Sequence, residues 1–162
     1  MAQSPSPIRP TDDAARRLAC SLIAEAHIAA LAVLEPQTGW PFVSRIAVAP
    51  LPPGEVLTLI SDLSQHARAL AADPRASLLL GEAGPRGDPL THPRLTLRVT
   101  ARQLPQAERP RLRALWLARH PKAKLYVDFA DFRFVAFTIR DALLNGGFGK
   151  AYALAQNDLK LT

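Results

Sequence analysis

Short apolar runs alternate with polar turns along this chain, and the spacing within each run predicts its secondary structure. We predict six strands, at residues 28–35, 40–49, 56–61, 76–82, 94–104 and 131–139. The fifth is the clearest, because Leu95, Leu97 and Val99 alternate with polar residues. That alternation gives the strand one apolar face and one solvated face.

Three segments instead show the apolar period of an α-helix, at residues 11–27, 64–72 and 105–119. Asp12 and its neighbours supply the cap and the first-turn acids of the first helix. The predicted core-facing stripe of that helix is Ala15, Leu18, Leu22 and Ala26. The second helix is short, because it begins at Ser64 and Pro74 stops it.

These elements predict an antiparallel barrel. The helices are too few for a doubly wound parallel sheet, in which each strand needs its own crossover helix. The expected fold class is therefore mainly β (α+β), with six antiparallel strands and flanking helices. The first two strands flank the turn PQTG at residues 36–39 and should form a hairpin. Residues 1–10 are rich in proline and serine, which indicates a flexible N-terminal arm, and residues 11–162 are expected to form a single domain.

Composition places the chain among globular proteins, since 48% of its 162 residues are hydrophobic, enough for one sizeable core. No apolar run approaches the ~18 residues of a membrane helix, and the N-terminus lacks a secretory pattern. We therefore expect a cytoplasmic protein with no membrane partner. The single cysteine, Cys20, can form no internal disulfide.

Charge narrows the choice of ligand only slightly. The formal net charge of +6 would suit nucleic acid or an anionic cofactor, and it would also follow from a bias in composition. The chain has 16 arginines and 4 lysines, scattered without a basic run. Because nucleic-acid binding would rest on net charge alone, we do not favour it. Arginine captures phosphate or carboxylate by paired hydrogen bonds, which favours a phosphorylated ligand.

The sequence LISDLSQHARAL, at residues 59–70, passes from an apolar run into a helical one through several polar side chains. A helix that begins at Ser64 leaves its first backbone N–H groups unpaired, and the serine hydroxyl satisfies one of them. Gln65, His66 and Arg68 add donors next to the remaining groups, as a phosphate site requires. The same residues also fit an ordinary capped helix whose polar side chains are solvated.

Several motifs resemble the pyridoxamine 5'-phosphate oxidase-like, FMN-binding split-barrel superfamily. The pattern S-x-x-S-x-H-x-R-x-L-x-x-D-P-R-A-S-L-L-L, at residues 61–80, resembles its flavin-phosphate segment. PFVSRIAV, at residues 41–48, resembles its cofactor-binding second strand. Four further segments are similar to the haem-utilisation branch of the superfamily: residues 87–97, 119–121, 131–132 and 146–149.

This resemblance implies a split barrel with FMN as cofactor. The residues that it places around the FMN phosphate are Ser64, Gln65, His66 and Arg68. The residues that it places along the ribityl chain or ring are Ser44, Arg45 and Ile46. Ile60 and Ser61 would act mainly through backbone groups. The resemblance also implies a homodimer with the cofactor at its interface, where Arg94 and Lys150 would reach the flavin of the partner chain.

Two functions follow as expectations. The first is a small flavin-dependent oxidoreductase that acts on an unknown small-molecule substrate, in which the flavin performs the chemistry and no catalytic residue is assigned. The second is a flavin- or haem-binding protein of haem utilisation without turnover, so whether the protein is an enzyme stays open. The four histidines have no recognised ligand spacing, and we therefore expect no metal site.

Overall fold

The structure, a computed structural model, describes residues 7–160. Its helices are α1 (Asp13–Glu25), α2 (Gln65–Ala72) and α3 (Arg109–Arg119). Its strands are β1 (Ile8–Arg9), β2 (Ile28–Leu34), β3 (Pro41–Ala47), β4 (Ala49–Leu51), β5 (Glu55–Ser61), β6 (Arg75–Leu80), β7 (Arg94–Gln103), β8 (Phe132–Asn145) and β9 (Ala151–Ala155). Within these residues no helix is both long and apolar enough to cross a membrane.

Six strands form an antiparallel barrel in the order β3-β2-β6-β7-β8-β5. β3 and β5 share no ladder in the described part of the chain, so the barrel is split between them. They approach each other at one point, where the buried hydroxyl of Thr58 donates to the Ala47 carbonyl at 2.8 Å. The six predicted strands, the predicted hairpin and the split barrel are confirmed.

Three further strands, which the sequence did not predict, extend the sheet of the six-stranded barrel to nine. β9 pairs with the second half of β8, and β1 pairs in parallel with β9. Ile8 and Arg9 therefore lie in the sheet, unlike the flexible arm predicted over residues 1–10, while residues 1–6 lie outside the described residues. β4 lies in the proline-rich segment before β5 and pairs with it.

β8 is longer than predicted because its middle contains a β-bulge. The register of the β7–β8 ladder shifts between Arg98 and Val99, which leaves Arg140 as the extra residue of β8. Arg140 and Asp141 interrupt the apolar pattern there, so the sequence indicated that the strand ends at residue 139. The strand instead continues to Asn145, and its free edge pairs with β9.

Two apolar clusters stabilise the fold. The larger fills the barrel, where α1 contributes Ala19 and Ile23 and α2 contributes Leu70. The smaller lies where α3 packs on β5 and β8, around the fully buried Leu112 and Trp116. β5 and residues 134–137 of β8 are therefore buried on both faces, which explains their nearly continuous apolar sequences.

The buried stripe of α1 is displaced from the predicted one. The residues of α1 that are fully buried are Ala15, Ala19 and Ile23. Of the predicted stripe, only Ala15 is among them, and Leu18, Leu22 and Ala26 pack half-buried beside the cluster. All six positions belong to one broad apolar face, and the sequence does not say which part of that face lies at its centre. Asp12 caps the helix as predicted, accepting from the Ala15 amide at 2.8 Å.

Candidate functional site

The turn between β5 and α2, residues 61–64, is held by hydrogen bonds that converge on Ser61. The Ser61 carbonyl accepts from the Ser64 amide at 3.0 Å and from the Ser64 hydroxyl at 2.7 Å. The Leu63 amide donates to the Ser61 hydroxyl oxygen at 3.1 Å. That hydroxyl in turn donates to the Asp131 carboxylate. The turn is therefore fixed before the helix begins.

The first turn of α2 leaves two backbone donors free. Ser64 caps the helix, because its hydroxyl oxygen accepts from the Ala67 amide at 3.2 Å and its carbonyl accepts from the Arg68 amide at 3.3 Å. Within residues 7–160 the amides of Gln65 and His66 have no acceptor. Free amides at the positive end of a helix dipole attract anions.

His66 connects this helix to β3. Its Nδ1 lies 3.1 Å from the Ser44 hydroxyl, and the ring is half-buried. Burial lowers the pKa of His66, so the imidazole is neutral at pH 7. At that pH the side chain offers a hydrogen bond to an anion but no charge.

The positive charge near this helix comes from two arginines. Neither Arg45 nor Arg68 forms an ion pair or side-chain hydrogen bond in the described part of the chain. Both side chains are exposed. They are therefore available to an anionic ligand without first breaking a contact within the protein.

Neighbouring residues of β3 face opposite sides of the barrel wall. Ser44 pairs with the buried Leu31 and points inwards, as does the buried Ile46, whereas Arg45 points outwards. Because β3 is an edge strand at the split, a ligand lying along that edge can touch both sides. Outside the wall, a groove of about 370 Å³ runs past Ser44 and Arg45 and is lined with apolar side chains, including Val43.

Gln65 is drawn towards the β2–β3 hairpin. Its Nε2 donates to Glu35 at 2.8 Å, and the same carboxylate accepts from the Thr38 hydroxyl at 2.5 Å. Sequence reasoning gave neither Glu35 nor Asp131 a role at this site, although residues 131–132 were among the segments similar to the haem-utilisation branch. Both residues lie far along the chain from α2, and neither belongs to a local pattern that names its partner.

The remaining predicted residues lie elsewhere or are already engaged. Ile60 is buried, and its backbone is paired with Arg133 of β8. Arg94 donates to the Leu90 carbonyl at 2.8 Å, and Lys150 accepts through its carbonyl from the Gly146 amide at 2.7 Å. Both of these cations lie at the β7–β8–β9 end of the sheet, and not beside α2.

Comparison with known families identifies the fold. The family described as "CREG, beta-barrel" matches residues 10–159. The chain belongs to that family. A protein of Clostridium acetobutylicum from the pyridoxinephosphate oxidase family has the same fold, with 14% identity and a TM-score of 0.70 over 92% of this chain and 99% of that one.

Two relatives of this CREG-family chain have names that refer to haem. The "Non-canonical heme oxygenase HOZ, chloroplastic" of Arabidopsis thaliana is 34% identical over 99 residues, which are 60% of this chain and 29% of that protein. The "heme binding protein from Mycobacterium smegmatis" is 29% identical with a TM-score of 0.82, over 94% of this chain and 61% of that one. The chain thus spans less than two thirds of either relative. The resemblance to the split-barrel superfamily and its haem-utilisation branch is confirmed.

The other histidines of this CREG-family barrel are mostly engaged in structure. His92 accepts from the Gly84 amide at 3.3 Å through Nδ1, and its Nε2 lies 2.8 Å from the Arg86 carbonyl. His120 Nε2 lies 2.8 Å from the Val48 carbonyl. His27 is exposed, and its ring packs against that of His120. Nowhere in residues 7–160 do three or more side chains gather that could hold a metal ion.

Proposed function

We propose that this protein binds FMN, with the phosphate at the N-terminus of α2, and works as a small flavin-dependent oxidoreductase. The observation that carries the proposal is the pair of free amides at Gln65 and His66 beside the unpaired Arg68. Two backbone donors, a helix dipole and one full positive charge match a phosphate dianion. The likeness to the pyridoxinephosphate oxidase fold supports the choice of a flavin.

The residues present fit the rest of that cofactor. The Ser44 hydroxyl and the Arg45 guanidinium flank the split, where the ribityl chain would leave the phosphate. The groove beyond them is lined mainly by apolar side chains, with Glu82 as its acidic residue, and suits a flat aromatic ring that carries polar edges. Bound flavin would supply hydride and electron transfer, and the protein would bind it, orient it and limit its contact with water.

We also propose that two copies pack through the outer face of the barrel. Val43, Leu79 and Leu143 lie on that face and are 62%, 44% and 54% exposed. The ladders join Leu79 to Leu143, since Leu79 lies opposite Thr96 and Thr96 lies opposite Leu143. Val43 lies opposite Ala32, two residues along β2 from the Ala30 that pairs with Leu79. A second copy seated there would bring its Arg94 and Lys150 towards the flavin groove.

The test of FMN binding is an absorption spectrum of the purified protein, followed by titration with FMN and riboflavin. We expect flavin absorbance or FMN binding at micromolar concentrations, with weaker binding of riboflavin, which lacks the phosphate. A colourless protein that binds neither would contradict the proposal. Equal affinity for FMN and riboflavin would contradict the phosphate site but would leave flavin binding standing.

A second candidate function is haem binding or breakdown, which the names of the Arabidopsis and mycobacterial relatives favour. His27 is the histidine that would be tested as a haem-binding residue, because it is exposed and its ring nitrogens make no hydrogen bond within residues 7–160. Titration with haemin should then give a Soret band that His27→Ala weakens. Loss of that band under a reductant with oxygen would indicate breakdown, and a stable band would indicate binding only.

A further inference from the structure

The segment that enters β8, residues 131–133, contacts the β5–α2 turn at three points. The Asp131 carboxylate accepts from the Ser61 hydroxyl, and the Asp131 carbonyl accepts from the Asp62 amide at 2.8 Å. Arg133 Nε lies 2.5 Å from the Asp62 carboxylate. These contacts join residues that are about 70 positions apart in the chain. The turn is thus fixed from β8 as well as from its own backbone.

Within the turn, the orientation of the Ser61 hydroxyl determines whether the Leu63 amide has a hydrogen-bond acceptor. The Ser61 hydroxyl has a single proton, which it donates to Asp131, so its lone pairs face the Leu63 amide at 3.1 Å. Without the carboxylate, that hydroxyl could rotate and give its proton to another acceptor. The Leu63 amide would then lose its partner, and the loop that leads into α2 would loosen.

We infer that Asp131 is a positioning residue for the phosphate site, holding the turn so that the amides of Gln65 and His66 stay open to the ligand. The inference rests on the proposed FMN function. It also assigns phosphate binding to backbone amides, since the Ser61 hydroxyl is committed to Asp131 and has no proton left for a ligand. Asp131 acts through Ser61, so its negative charge is directed at a hydroxyl donor and not at the phosphate.

The experiment compares dissociation constants for FMN and riboflavin in the full-length protein and four variants. Asp131→Ala removes the acceptor, Ser61→Ala removes the donor, and Asp131→Asn keeps an oxygen that can accept from Ser61. The matched control is Asp128→Ala, because Asp128 lies in the same loop and its carboxylate pairs with Arg113 at 2.7 Å. Thermal melting of each variant reports folding separately.

We expect Asp131→Ala and Ser61→Ala each to lower FMN affinity about tenfold relative to riboflavin, the effect of one lost hydrogen bond in a fixed network. Asp131→Asn and Asp128→Ala should keep the wild-type ratio of FMN affinity to riboflavin affinity. If Asp131→Ala does not fold, Ser61→Ala decides the result, since it breaks the same hydrogen bond from the other side and leaves Asp131 itself unchanged.

Two outcomes would overturn the inference while FMN binding stands. The first is an unchanged ratio of FMN to riboflavin affinity in both alanine variants. The second is an equal loss of affinity for both flavins, which would indicate general loosening and not positioning for phosphate. A wild-type protein that binds neither flavin would instead overturn the proposed function, and the inference with it.

Discussion

Arg68 has no anionic partner within residues 7–160, whereas eight of the sixteen arginines form ion pairs. Arg98, for comparison, forms a two-point ion pair with Asp141, and Arg109 donates to the backbone carbonyls of Val127 and Phe132. The net charge of +6 by itself says little about ligands, because it does not show which arginines lie outside ion pairs. The unpaired Arg68 guanidinium beside the free amides of α2 is stronger evidence for an anionic ligand.

Replacing Arg68 should weaken FMN binding without unfolding the protein. The side chain is exposed and makes no contact that the fold needs, so Arg68→Gln should leave the melting temperature unchanged. FMN affinity should fall about tenfold, since a charged hydrogen bond to phosphate is lost, and riboflavin affinity should stay constant. The control is Arg17→Gln, an exposed arginine of α1. If Arg17→Gln lowered FMN affinity by the same factor, the effect would come from net charge and not from a contact of Arg68 with the phosphate.

His66 should make the stability of the flavin-free protein depend on pH. Burial lowers its pKa below the ordinary 6.5, so the unfolded chain binds a proton more readily than the folded one. Stability should therefore be full above about pH 6.5 and should fall as the pH drops from there towards the lower folded pKa. Burial also lowers the pKa of His120, which adds to the same trend.

Denaturant unfolding at pH 7 and pH 5.5 checks this dependence on His66. His66→Gln should reduce the loss of stability between the two values. If His66→Gln lost as much stability between pH 7 and pH 5.5 as the wild type does, other titrating groups would be the cause of that loss.

At the scale of elements, the sequence predicted the strands and caps that depend on local periodicity. It missed the pairings and contacts that depend on residues distant in the chain. The six barrel strands and the Ser64 cap were predictable because alternation and capping chemistry are local. β9 was missed because the bulge at Arg140 hides the second half of β8. Asp131 and Glu35 were missed at the site because only the folded barrel brings them to α2.

The cap of α2 offers a test that separates helix stability from anion binding. Ser64→Ala removes the acceptor for the Ala67 amide and should cost about 1 kcal/mol of unfolding free energy, with weaker FMN binding. Ser64→Asp can still cap the helix, yet its carboxylate would repel the phosphate. We expect near wild-type melting and poor FMN binding for Ser64→Asp, with riboflavin binding retained. Tight FMN binding by that variant would place the phosphate elsewhere.

At the scale of the whole molecule, one face of the barrel is apolar without a covering element in the described chain. Val43, Leu79 and Leu143 form a band across that face, whereas other exposed apolar side chains, such as Leu125, lie outside it. A stable dimer buries roughly 800 Å² on each partner, and a band across several strands is wide enough to contribute to such an interface. The β3 edge and the flavin groove border this face.

Sedimentation equilibrium of the wild type should therefore give a dimer at micromolar concentration, and Leu79→Lys should give a monomer. The lysine would place a charge inside the interface of two chains that already repel each other at +6. Leu125→Lys, at a position that is 80% exposed and outside the band, is the control and should stay dimeric. Leu79 also lines the flavin groove, so the Leu79→Lys monomer should bind FMN more weakly than Leu125→Lys does for two reasons: the lysine changes the groove, and the partner's Arg94 and Lys150 are lost. A monomeric wild type, or a Leu79→Lys monomer with full FMN affinity, would show that each chain holds its cofactor alone.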